Sequence, residues 1–206
     1  MLRPGSSQPR NPKPLTPARI VRGLARLAMF HADGIPTFDA GLSGVIASIV
    51  PWGVLVFVSG TLAVMSPMDG VSSGDVMTLL LALVIGIVFP LVASEWLATR
   101  WGRSAEWPRY ATAYNCIQWL LPVLLVAVAV VVEGLVAQGL PLRLTVWAGA
   151  GILSIYTLSL NWFVARQALA TSPARAALLV IVVQGGMALI LFLPGLLRMT
   201  MIAGRS

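Results

Sequence analysis

Charged and strongly polar side chains gather into short islands along this chain, leaving apolar intervals of 22–24 residues between them. Five such intervals run over 42–65, 76–98, 111–132, 144–165 and 174–197. As helices rising 1.5 Å per residue, each is long enough to cross a hydrocarbon layer of ~30 Å with modest tilt. Inside that layer a helix satisfies its own backbone groups, which an open strand cannot do. The pattern predicts an all-α fold: a polytopic membrane bundle of five transmembrane helices over 42–198. A region of 41 residues precedes it and a short tail, 199–206, follows. No internal repeat is visible, and an odd span count argues against two equal halves.

Two different patterns occupy the N-terminal region. Residues 1–19 hold five prolines and four basic side chains with few apolar ones, a composition that predicts disorder. No apolar core of a signal peptide follows them. Over 19–30, "RIVRGLARLAMF", Ile20, Leu24 and Leu27 recur at i, i+4 and i+7, while Arg19, Arg22 and Arg26 take another face. That spacing fits a short amphipathic helix on the membrane surface; a basic linker, helical only in passing, is the other reading. Near the last span, Ser172 suits an N-cap and Pro173 the first helical position.

Composition strengthens the membrane reading. The chain is 58% hydrophobic and 10% charged, with mean hydropathy +0.88, and a soluble fold needs more charge than that to cover itself. Its net charge of +7 lies mostly in loops and tails. In that position it serves as a topology signal facing anionic lipid; nucleic acid is not expected as a partner. Eleven Lys and Arg fall on one side of the five spans and three on the other, which places the N-terminus in the cytoplasm and the C-terminus outside it. Arg198 and Arg205 lie on the sparse side. Trp96, Trp101, Trp107 and Trp162 fall at the basic interface and Trp147 at the opposite one, as an aromatic belt requires.

The stretch "RYATAYNCIQWLLPVLLV", 109–126, breaks the apolar rule. Asn115 and Gln118 stand within it, and Pro122 follows one turn later. With Glu95, Asn161 and Gln184 these amides form a candidate polar layer in the basic half of the spans. Hydrogen-bonding groups in hydrocarbon need partners, so this layer is expected to face the bundle interior. Asn115, Gln118 and Pro122 share one helix face, and Ala150, Ser154, Thr157 and Asn161 make a small, polar stripe on the fourth span. Pro51, Pro90 and Pro122 are candidate kinks, each freeing a carbonyl four residues back, at Ala47, Gly86 and Gln118. Two readings stay open: interhelical glue locking a kinked bundle, or a vestibule for a polar ligand or ion. Glu95 has Arg100 or Arg109 within expected reach, and Glu133 has headgroup water or Arg143.

Catalytic, cofactor and metal sites are not expected. His31 is the only histidine, Lys13 the only lysine, and Cys116 the only cysteine, a packing residue in this reading. The acidic pair Asp69 and Asp75 in "DGVSSGD" reads as turn chemistry.

Three stretches carry a resemblance. "WPRYATAYNCIQ", Trp107–Gln118, resembles an aromatic-Pro-x-Tyr…Ala-Tyr-Asn-aromatic-x-Gln pattern of small alphaproteobacterial inner-membrane proteins. "LNWFVARQAL", 160–169, resembles the segment ending their fourth span, and "PTFDA", 36–40, their entry to the first. In span count and layout these are similar to the Yip-type family of five-span proteins. Cys116 stands where that pattern has an aromatic residue, usually Trp. The resemblance implies fold and inner-membrane location. The Rab GTPases and vesicle traffic of eukaryotic members do not carry over to a bacterium. The expected function is an accessory or scaffold protein contacting lipid and other membrane proteins, or itself, through its basic N-terminal region and the 98–110 loop. The alternative is a small transporter or channel subunit using the polar layer.

Overall fold

The computed structural model describes residues 17–38, 41–65 and 73–203. Expectations for 1–16 and for the acidic loop at Asp69 fall outside them. Among the described residues the chain is all helical. Helix α1 spans Pro17–Ala28 and leads into a 3-10 helix, Ala32–Thr37. Then come α2 (Leu42–Met65), α3 (Ser73–Arg100), α4 (Trp107–Gln118), α5 (Leu120–Ala137), α6 (Leu142–Ala168) and α7 (Pro173–Ala203). Four stretches are long and apolar enough to cross a membrane: 80–100, 107–137, 142–168 and 173–190. The apolar stretch recognised on α2 is shorter, Leu42–Val54.

The third expected span is two helices meeting at Trp119. Pro122 lacks the N–H that would bond the Gln118 carbonyl, so the ladder fails at that carbonyl. The chain tightens there instead: Trp119 N–H donates to the Cys116 carbonyl at 3.2 Å, a 3-10 contact. The helix is therefore interrupted for one residue, Trp119, ahead of Pro122. Pro51 and Pro90 sit within continuous helices.

Four helices end in one manner. A residue with positive φ follows the last turn, and the next N–H reaches back five residues. His31 bonds Arg26 at 2.9 Å, Arg103 bonds Ala98 at 2.8 Å, Leu140 bonds Leu135 at 3.2 Å, and Thr171 bonds Arg166 at 3.2 Å. Gly102 and Gly139 take the left-handed position freely; Phe30 and Ala170 take it at φ 58° and 46°. That conformation costs a non-glycine residue about 1–2 kcal/mol. At Phe30 the ring offsets the strain by lying edge-on to Tyr156 and Phe163, with centroids 5.7 and 5.5 Å away.

The core sits at one end of the bundle. Leu27, Leu97, Tyr110, Ile117, Leu160, Val164, Leu169 and Leu179 belong to one buried cluster, fed by α1, α3, α4, α6 and α7. Helix α4 is buried from Tyr110 to Ile117, whereas α5 has no buried residue. On α6, five of the six buried positions lie between Leu160 and Ala168. Beyond Trp119 the apolar side chains turn outward, an arrangement that acyl chains support and water does not.

The amphipathic helix is held by the protein itself. Leu27 is fully buried, and Ile20 and Leu24 pack on the same cluster. Tyr156 donates its hydroxyl to the Ala28 carbonyl at 2.7 Å. The face expected to meet lipid thus lies against the bundle, and Arg22 and Arg26 remain exposed on the other.

Candidate polar cavity inside the bundle

Three of the five expected polar residues meet in one place. Asn115, Gln118 and Gln184 line a cavity of about 280 Å³ between α2, α3, α4 and α7. Trp52 and Tyr114 form its aromatic walls, and Gly86 with its α3 neighbours an apolar one. Asn115 and Gln118 lie 8 and 11 residues along the chain from Trp107, roughly 12 and 16 Å by helical rise, so the cavity is inside the bundle's apolar depth.

Each amide is placed differently. Asn115 is buried and donates Nδ2 to Ser48 Oγ on α2 at 3.0 Å, while Ser48 donates to the Val45 carbonyl at 2.7 Å. Gln118, at the end of α4, has its carboxamide beside the Tyr114 hydroxyl. Gln184 is half-buried on α7 and makes no side-chain bond among the described residues. Trp52 stacks on Trp119 with centroids 4.6 Å apart, bracing the cavity against the break between α4 and α5.

Asn161 lies elsewhere. It donates Nδ2 to the Thr157 carbonyl of its own helix at 2.9 Å, and its Oδ1 is buried without a partner. It lines a void of about 10 Å³ that it shares with Gln118 and Tyr156. Glu95 is exposed and lines neither space. Among the described residues the ion pairs are Arg26–Asp33 at 2.9 Å and Arg103–Glu106 at 3.3 Å, so Glu95 and Glu133 pair with none of the expected arginines. Arg100 lies over the Trp96 ring instead, 4.9 Å from its centroid. No side-chain donor reaches the carbonyls of Ala47, Gly86 or Gln118 among the described residues; the amide of Asn115 goes to Ser48.

The belt tryptophans are tied in at the core end. Trp107 Nε1 donates to Ser94 Oγ at 3.1 Å and Trp162 Nε1 to the Pro173 carbonyl at 3.0 Å. Arg175 lies over the Trp101 ring at 5.9 Å. Ser172 caps α7, receiving the Arg175 N–H at 3.4 Å.

Comparison with protein-family models, with curated proteins and with solved structures finds no match. Among the described residues no three His, Cys, Asp or Glu side chains come together. Ser48, Trp52 and Tyr114 were missing from the expected layer. Ser48 and Trp52 are four residues apart on one face of α2, but every i, i+4 pair of that helix shares a face, so the spacing does not single them out.

Proposed function

We propose that this chain is a five-span protein of the bacterial inner membrane, N-terminus cytoplasmic, laid out like the Yip-type proteins. It acts without catalysis, as an accessory or scaffold that contacts lipid and other membrane proteins. Helix α2 supplies the fifth crossing, and the eleven-to-three distribution of basic residues supplies the orientation.

The observation that carries the scaffold reading is the α5–α6 hairpin. The two helices pack on each other and leave apolar grooves of about 450 and 630 Å³ along their two sides. Val131, Leu144 and Ile152 line the first of them and stand 59–68% exposed. Without a hydrophobic force between helices in lipid, close packing decides association, and unfilled grooves offer a partner helix that packing. A photoreactive residue at Val131 or Ile152 should crosslink in native membranes to one neighbour, the same one that co-purifies in fixed ratio with a tagged copy. A lone monomer with no crosslinked neighbour overturns the reading.

A second reading, a small transporter or channel subunit, draws support from the convergence of Asn115, Gln118 and Gln184. Glu95 and Asn161 lie outside that cavity, which weakens the layer as a pathway. Solute flux in proteoliposomes that disappears in Gln184→Leu would displace the scaffold reading.

A further inference from the structure

The cavity between α2, α3, α4 and α7 has a composition that selects its occupant. No ionisable carboxylate or basic side chain lines it. A charged solute there would lose its hydration with nothing to replace it. A pure hydrocarbon would leave the Gln184 carboxamide, which makes no side-chain bond among the described residues, facing a groupless surface. The fitting molecule is uncharged, carries hydrogen-bond acceptors, and has a flat apolar body to lie against Trp52 and Tyr114.

Size and depth narrow the class. About 280 Å³ is at the low edge of small-molecule sites, which run ~300–1,000 Å³. Leu83, on its apolar α3 wall, is exposed at the bundle surface, which gives a ligand access from the bilayer. Donors are available: both Gln184 N–H groups are unclaimed by side chains, and the Gln118 carboxamide sits next to the Tyr114 hydroxyl. Asn115 is the exception, since its Nδ2 is committed to Ser48 and leaves only Oδ1 for a ligand.

We propose that this cavity binds the ring of a bilayer-dissolved, uncharged carbonyl compound of the quinone class, with Gln184 and Gln118 donating to the ring carbonyls and Trp52 flanking its plane. The claim is independent of the scaffold reading, since it concerns a different face of the molecule from the α5–α6 grooves.

The test uses the full chain in lipid nanodiscs, titrated with a decyl-substituted benzoquinone, with decylbenzene as the probe lacking carbonyls. Quenching of tryptophan emission by the quinone should saturate, and excess decylbenzene, which is no quencher, should not relieve it. Gln184→Leu should weaken binding about tenfold, the loss expected for one or two neutral hydrogen bonds. Ala82→Phe, which fills the cavity from α3 without touching an amide, should abolish saturable quenching, and Glu95→Gln should leave it unchanged. Thermal unfolding of each variant identifies any that fail to fold. Non-saturating quenching of the wild-type protein, displacement of the quinone by decylbenzene at equal concentration, or unaltered affinity in both folded cavity variants overturns the proposal.

Discussion

The two ends of this bundle are built from the same kind of helix and packed in opposite ways. At the α1 end, Tyr110 and Leu169 are at most 2% exposed, and helices α4 and α6 converge with the 3-10 segment and α7 around them. At the far end, α5 has no buried residue and leans on α6. The difference follows side-chain type. The packed end has aromatic rings, small residues and amides, which gain from contact with other protein even where lipid is the alternative. The far end of the hairpin is mostly Val and Leu, and acyl chains solvate these as well as another helix would. Helix α1 adds to the asymmetry by closing the packed end with Leu27 and Phe30.

The sharpest way to break the comparison is to shorten one methyl-rich side chain at each end. Leu27→Ala should cost about 2–5 kcal/mol, because the residue is enclosed by several elements and the site cannot collapse. Val130→Ala, on the exposed face of α5, should change stability by less than about 0.5 kcal/mol. Reversible unfolding in mixed detergent micelles measures both. Equal losses would mean that the far end is packed in the membrane by something outside this chain.

A smaller effect tests what the intramembrane amides do. Asn115 and Ser48 are 67 positions apart in sequence and joined by one bond between α4 and α2. A double-mutant cycle with Asn115→Ala and Ser48→Ala should return a coupling of about 0.6–1.7 kcal/mol, the range found for such bonds in membranes. Coupling indistinguishable from zero would remove Asn115 from the structural glue and free it for the cavity.

Legibility divided along similar lines. The helices, the interruption ahead of Pro122 and the cap at Ser172 rest on local rules, run length and proline and N-cap chemistry, so the sequence displays them. Periodicity placed Asn115 and Gln118 on an inward face, and the neighbour they meet there is Gln184. Periodicity could not say which residues from other helices face them, since that depends on the rotation and approach of α2 and α7. Ser48 and Trp52 went unnoticed for this reason, and Glu95 was grouped with the layer although its side of α3 points outward. Helix α1 shows the limit of an amphipathic pattern: an apolar stripe states that something covers it, and both a bilayer and the protein's own core satisfy that demand.

The least effect, and the finest distinction between the two ends, comes from glycine within the hairpin. A Cβ on Gly149 would lie 2.9 Å from Val128 Cγ1, so the absence of a side chain there lets α6 approach α5. Gly134, five residues before the left-handed Gly139, would have nothing within 4 Å of such a Cβ. Gly134→Ala should therefore stabilise the hairpin by up to about 0.5–1 kcal/mol, through the backbone entropy that glycine loses in a helix. Gly149→Ala has the same entropic gain available, but Val128 must shift to admit the methyl, and the close approach is lost with it. Opposite signs in the shift of melting temperature are expected. If both substitutions stabilise, the hairpin is loose enough at Gly149 to yield without cost, and the contrast between a fitted end and a lipid-solvated end extends to the close approach of α6 to α5.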